Sequence, residues 1–353
     1  MTERTVASTL DTAELPSHFD DAAHLEDFMS LPTQATIDEL ATLDGDIVIL
    51  GVAGKMGVTL ARMIKRAAPT KRVIGVARFS EAGSQEHLNS FGVETIVCDL
   101  LNPDAVAALP RVANVIYMAG LKFDFRGREG FLWAMNTYVP SLVAQHYRES
   151  RIVALSTIHV YPWSDSRQGG VTEDNLPLAR PGEYANSVVG RERMFQYFSE
   201  VNNTPGRLVR FVYAIDMRYG VFQEIADWVY NEVPIPLETG NVNVMWQGDA
   251  INHFARLLTR CETPSTPINI GGPETVSVRY LAEAFGREFG KTPLFEGTES
   301  DSSLTVNCDR AAEELGNPIV PINAMVRWVA HWVSSGGDTY GKPSKFQVRT
   351  GVF

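Results

Sequence analysis

Cysteine is scarce: Cys98, Cys261 and Cys308 are the only three in 353 residues, widely separated and without a CxxC pair. This excludes a disulfide framework and a cysteine zinc site, predicts no metal, and fits a reducing cytoplasm. Positive charge is short as well. Lysine and arginine number 31 against 42 aspartates and glutamates, a net charge of −11. That argues against a nucleic-acid partner and suits solubility. No apolar run approaches a membrane span, so no membrane partner is expected. The opening MTERTVASTLDTAELPSHFDD lacks the apolar core of a signal peptide. No internal repeat stands out. The expectation is a cytoplasmic globular chain, with 44% hydrophobic residues to fill one large domain or two intimate ones.

What is present is concentrated first at 46–67, DIVILGVAGKMGVTLARMIKRA. The uninterrupted run Ile47-Val48-Ile49-Leu50 reads as a buried parallel strand. Gly51, Gly54 and Gly57 follow at G-x-x-G-x-x-G spacing, and Leu60, Met63, Ile64 and Ala67 then mark one helix face. Strand, glycine turn and helix predict dinucleotide binding. Gly51 permits the tight turn, Gly54 lets backbone approach a pyrophosphate, and Gly57 lets helix pack on strand. The N–H groups of the first helical turn, entered through Met56, would hold the phosphates. Lys55 lies there too, where a cation is unfavourable by about 0.3–1 kcal/mol. A phosphate beside it reverses that sign; the alternative is a solvated loop lysine.

Strands alternating with helices predict an α/β fold with a doubly wound parallel sheet. A second strand is expected at 71–76, a third at 94–98, a fourth at 112–118 and a fifth at 151–155. The acid that binds adenosine ribose hydroxyls in NAD-specific folds is replaced at the end of strand two by Ala77 and Arg78. Arg78 tilts the cofactor from NAD toward NADP, unless it only stacks on the adenine. Asp99 and Leu100, after strand three, are placed at the adenine, and Asp99 could instead cap the next turn. Ala119 and Gly120, after strand four, let the chain pass close to the cofactor. A long helix over 130–147 carries Asn136, and Thr33 is placed to cap a helix in the 1–44 extension.

Strand five exits through STIHVY at 156–161, and EYANSVVGRER at 183–193 opens a later helix. A hydroxyl at a strand end and a tyrosine at a helix start suit proton transfer at a carbinol or carbonyl: the hydroxyl orients the substrate oxygen and the tyrosine exchanges its proton. With GVAGKMG at 51–57, YMAG at 117–120, Asn136, the NVMWQGDA segment at 242–249 and the PINIGGPETVSVRYLAEAFGREFG segment from Pro267, these motifs resemble the extended short-chain dehydrogenase/reductase superfamily, in its NAD-dependent epimerase/dehydratase branch. The likeness spans about 46–333.

The resemblance implies a Rossmann-type sheet with a smaller C-terminal substrate-binding lobe, Thr157 and Tyr184 as the catalytic pair with Tyr184 also at the cofactor, and a homodimer formed through helices near 130–148 and 184–200. Its domain bounds are a 1–44 extension, a 45–207 nucleotide-binding domain, a 208–333 sheet completion and substrate lobe, and a 334–353 tail. One position departs. The family's lysine, four residues after the tyrosine, is Val188. Three outcomes are open: another cation, Lys122 before the more distant Arg191, supplies the charge; Tyr184 acts unassisted; or the fold only binds dinucleotide, as a redox-sensing or assembly protein. On the substrate side stand His159, Tyr213, Arg218 and Trp246, each with a bland alternative as packing or a surface ion pair. No arginine occurs at 241–244, where nucleotide-sugar members carry one, so a smaller sugar, polyol or sugar acid is also expected as a carbohydrate-like substrate.

Overall fold

The computed structural model describes residues 9–351. Its strands are β1 (Ile47–Leu50), β2 (Val73–Ala77), β3 (Glu94–Val97), β4 (Asn114–Tyr117), β5 (Arg151–Thr157), β6 (Gly206–Phe211), β7 (Tyr213–Ile215), β8 (Asn241–Trp246) and β9 (Thr266–Ile270), besides shorter pairs. Seven of them form one sheet in the order β9-β6-β5-β4-β1-β2-β3. Every neighbouring pair is parallel. β1 and β4 are buried along their whole length, which is why their sequences read as continuous apolar runs rather than alternating ones. The strand order reverses between them, so a crevice opens at their carboxyl ends. β7 and β8 pair outside this sheet, in parallel, and begin the second lobe.

The extension belongs to the body of the protein. Helices α1 (Ala22–Met29) and α2 (Gln34–Thr42) are capped by Asp21 and Thr33, which accept from the His24 and Thr36 amides. Asn252 fixes the junction between them, accepting the Thr33 amide at 2.8 Å and the Thr36 hydroxyl at 2.7 Å. Asp27 takes Arg62 and Arg66 from α3 (Gly57–Ala67). Phe19, Leu25 and Met29 join the apolar cluster of the C-terminal lobe with Trp246, Trp328 and Phe346. The stripe Met325, Trp328, Val329 and Trp332 is core, as its helical spacing requires.

Two segments differ from expectation. The helix over 129–146 contains a π-helical turn, Ala134–Tyr138, between Glu129–Trp133 and Val139–His146. Pro140 has no N–H to return to the Asn136 carbonyl, so the regular ladder cannot run through; the widened turn carries Asn136, and such turns recur at functional sites. Alternating Phe346 and Val348 suggest a strand in the tail, but the tail forms none at 342–351. Phe346 is buried instead against Trp228, with ring centres 6.0 Å apart.

Candidate active site

The crevice is built around the glycine turn. Gly51 has φ of 89° and a Cβ there would stand 2.7 Å from the Ala119 amide nitrogen. A Cβ on Gly57 would stand 2.3 Å from the Val52 carbonyl oxygen. Both positions therefore need glycine, one for its turn and one for helix–strand contact. Gly54 meets only the Gly51 carbonyl, and its outer side is open. No side chain caps the start of α3, and its first turn carries no acid, so the helix presents its N–H groups to an anion. A dinucleotide fits these residues.

Two clefts meet at this turn and share Gly51, Gly54 and Met118. The first, about 380 Å³, runs past Arg78, Glu81, Asp99, Leu100, Ala119 and Gly120. The second, about 400 Å³, runs from Lys55, Met56 and Gly57 past Lys122 and Leu155 to the second lobe. The sequence-predicted cofactor residues thus line these two adjoining clefts, except Tyr184, which lines neither. Lys55 turns toward the second cleft, its Nζ 3.0 Å from the centre of the Tyr219 ring. Glu81, close behind Arg78, had no signal in the strand pattern.

Tyr184 lies buried in the first turn of α4 (Glu183–Asn202) and is hydrogen-bonded to Thr157 at the end of β5. Burial raises its phenol above the usual range, opposed by Arg191, by the Thr157 bond and by Arg180. At neutral pH it is protonated and enters chemistry as an acid. Lys122 Nζ stands 5.7 Å above the Tyr184 ring. Burial, then Arg180, Lys55 and Lys345, push that ammonium down to about 7. His159 packs edge-on to Tyr184 at 5.7 Å and to Tyr213 at 6.3 Å. Arg180 donates to His159 Nδ1, so the imidazole is a neutral acceptor there. Burial, then Lys122 and Arg180, hold it well below its ordinary value.

Val188 is wholly buried in the main core and has no role at the groove. Arg191 instead packs behind Gly120, which lines the first cleft. From two turns along α4 its side chain runs back toward the helix start, as helical side chains do. It donates to the Leu155 carbonyl at 2.9 Å and to Asn136 Oδ1 at 2.6 Å. A Cβ on Gly120 would come within 2.2 Å of its guanidinium, so Gly120 also makes room for this cation. Arg180 and Arg191 are the residues that spacing underrated, because only the fold shows both charges facing Tyr184.

Two substrate expectations are corrected. Arg218 lines neither cleft; it is buried in ion pairs with Asp216 at 2.9 Å and Glu26 at 2.7 Å. Trp246 is fully buried, stacked on Phe19 at 6.2 Å and edge-on to Trp328 at 5.3 Å, because the extension supplies the partners that a sugar was expected to supply.

Buried neutral histidines make the fold acid-sensitive. His253 in α5 (Gln247–Arg256) is held at about 3 by burial and then Arg256 and Arg260, and His159 is lowered in the same way. A depressed histidine stabilises the fold above its unfolded value near ~6.5, and that stability is lost as pH falls, since the unfolded chain takes the proton first. The pair predicts a loss of about 2 kcal/mol between pH 6.5 and 5.5. Urea midpoints at the two values check this; equal midpoints contradict it.

The chain is similar to known proteins in the same region. The family model described as NAD dependent epimerase/dehydratase family matches residues 47–214. No curated protein sequence matches the chain. Among solved structures, the UDP-glucuronic acid 4-epimerase of Bacillus cereus with UDP-glucuronic acid and NAD superposes with a TM-score of 0.67 at 16% identity, over 82% of this chain and 99% of that one. A UDP-glucose 4-epimerase of Thermotoga maritima with UDP-glucose gives 0.68 at 15% over 82% and 99%. Epimerase Mth375 of Methanothermobacter thermautotrophicus gives 0.69 at 17% over 86% and 96%. At these identities the likeness establishes the Rossmann-type fold. The glycine turn, the Thr157–Tyr184 pair and the family match all fall in one segment, residues 47–214, which is similar to the NAD-dependent epimerase/dehydratase family.

Proposed function

We propose that the protein is an NAD(P)-dependent epimerase/dehydratase-type enzyme acting on a carbinol carbon of a sugar or sugar derivative. The observation that carries this reading is the Thr157–Tyr184 hydrogen bond beside the groove of the glycine turn. Thr157 orients the substrate oxygen, and Tyr184 gives it a proton or takes one away. NAD(P), when bound, supplies the hydride acceptor or donor. The charge normally given by the family's lysine comes from two sources here. Arg191 is a fixed cation held on Leu155 and Asn136, and Lys122, poised near neutrality above the ring, can also exchange a proton.

Arg78 favours a 2′-phosphate and hence NADP, while Glu81 in the same cleft favours the free hydroxyl of NAD. The substrate we propose is carbohydrate-like. Nucleotide-sugar binding by the relatives named above supports one class, and the absence of arginine at 241–244 supports a smaller one. Exposed Trp133 and Tyr138 on the 129–146 helix and Tyr197 on α4 support a homodimer through these helices. A cytoplasmic location and the division at 45–207 and 208–333 complete the reading.

Denaturing the purified protein and assaying the released nucleotide tests it. Stoichiometric NAD(H) or NADP(H) is the expected result, points to an internally recycled cofactor, and decides Arg78 against Glu81. Empty protein that binds added cofactor moves the reading to a dehydrogenase/reductase. Empty protein that binds neither rejects it.

A further inference from the structure

The second cleft is roofed by a part of the chain far from the glycine turn. Tyr340 and Lys342 line it together with Gly51, Gly54, Lys55, Met56 and Gly57. Their segment is tied down on both sides. The Tyr340 amide donates to the Arg218 carbonyl at 3.1 Å, and the Tyr340 ring lies 5.0 Å from the Arg218 guanidinium. Beyond Lys342, Ser344 bonds Glu224 through both amide and hydroxyl, and Phe346 is buried in the lobe core. Lys342 is thus held over the cleft by its neighbours and is itself exposed. From the opposite wall, Lys55 rises from the glycine turn onto the Tyr219 ring, with the Tyr340 ring 5.6 Å away.

Three lysines, Lys55, Lys342 and the deeper Lys122, therefore line one cleft in a chain of net charge −11, and the first two flank the glycine turn. No ion pair of Lys55 or Lys342 occurs among the described residues; the nearby Asp216 is engaged by Arg218. Burial and then Lys342 press the Lys55 ammonium down to about 8, while Asp216 opposes them. Like charges converging on open N–H groups at a helix start call for an anion between them.

We propose that Lys342 and Lys55 form a clamp on the pyrophosphate of the dinucleotide, closed over the glycine turn by the 338–346 segment. The inference rests on the dinucleotide reading given above. It adds a binding residue, Lys342, that lies outside the 47–214 family match. It also accounts for Arg218, which the site did not absorb: its buried pairs with Asp216 and Glu26 fix the point from which Tyr340 and the roof are hung. A cofactor held in this way leaves slowly, which suits an enzyme that recycles it in place.

Calorimetry on the full chain, first freed of any retained nucleotide, with NAD, ADP-ribose and AMP tests the clamp, using wild type, Lys342→Gln and Lys55→Gln. Stopped-flow release of NAD gives a second readout. Each substitution should weaken NAD and ADP-ribose by about tenfold, the order of one charge-assisted contact. It should speed NAD release to match and leave AMP, which has no pyrophosphate, within about threefold. Lys342 is exposed, so its variant keeps the wild-type melting temperature and the comparison stays fair. Unchanged NAD and ADP-ribose affinity in Lys342→Gln overturns the clamp alone. Equal weakening of AMP overturns it too, since the lysines would then act as diffuse charge. Wild type that binds none of the three nucleotides removes the dinucleotide reading and the clamp together.

Discussion

Tyr184→Phe is expected to lower turnover by about 10²–10⁴-fold, the usual worth of a positioned general acid or base, while nucleotide retention changes by only a few-fold. The substitution removes one oxygen from a buried ring and keeps its packing. The expected loss is in the chemical step because the phenol is hydrogen-bonded to Thr157 and lies beside Lys122, which lines the groove. Burial holds the phenol protonated, so the step in which it donates should suffer directly. Deprotonation is assisted by Arg191, which is buried and bonded to Asn136 and Leu155. Single-turnover reduction of bound cofactor in the variant measures this loss. A variant with wild-type turnover on an identified substrate would move the proton transfer elsewhere, with Lys122 the next group to examine.

The second large effect concerns stability. Glu192 is fully buried and meets Arg210, 2% exposed, through Nη2 at 2.8 Å and Nε at 3.0 Å. Ser156 also donates to Glu192, Arg210 donates to the Tyr161 hydroxyl at 2.6 Å, and Tyr161 donates to Asn269 at 3.0 Å. The chain of bonds joins α4, β5, β6 and β9 beneath the catalytic pair. Glu192→Ala strands the guanidinium without its partner, and such a break costs about 3–5 kcal/mol. For a chain of this size that is a fall in Tm of about 4–7 °C. Replacing both partners, Glu192→Leu with Arg210→Leu, should cost less than the sum of the two single changes, because the uncompensated charge is gone. Calorimetric melting of the four proteins checks the cycle; additive losses would show that the pair is not coupled.

The sequence was most informative where one local pattern implied one geometry. The run Ile47–Leu50 with three glycines could only be a strand, a tight turn and a close-packed helix, and the structure has all three. Tyr184 and Thr157 could be paired from sequence because each sits at an element end, and the structure hydrogen-bonds the two. Arg191 was misjudged because residue spacing measures Cα positions, whereas a long side chain crosses two turns to reach Gly120. Trp246 was misread for a different reason. A tryptophan beside a site looks like a sugar platform until Phe19, 227 positions earlier in the chain, is known to lie on it. Lys342 left no trace at all, since nothing near it in sequence speaks of phosphate.

Arg218 also bears on how the molecule assembles. Its contact with Glu26 spans 192 positions, and the Trp328 indole reaches the Pro16 carbonyl across 312. Contacts of such high order close most of the chain into a loop, and they stabilise nothing until both lobes have formed. The sheet and its glycine turn rely on shorter spans, 20 to 67 positions between paired strands, and can order earlier. The roof over the groove depends on the two most distant parts of the chain meeting at one arginine. A nucleotide that met the half-formed protein would find its seat built before its cover.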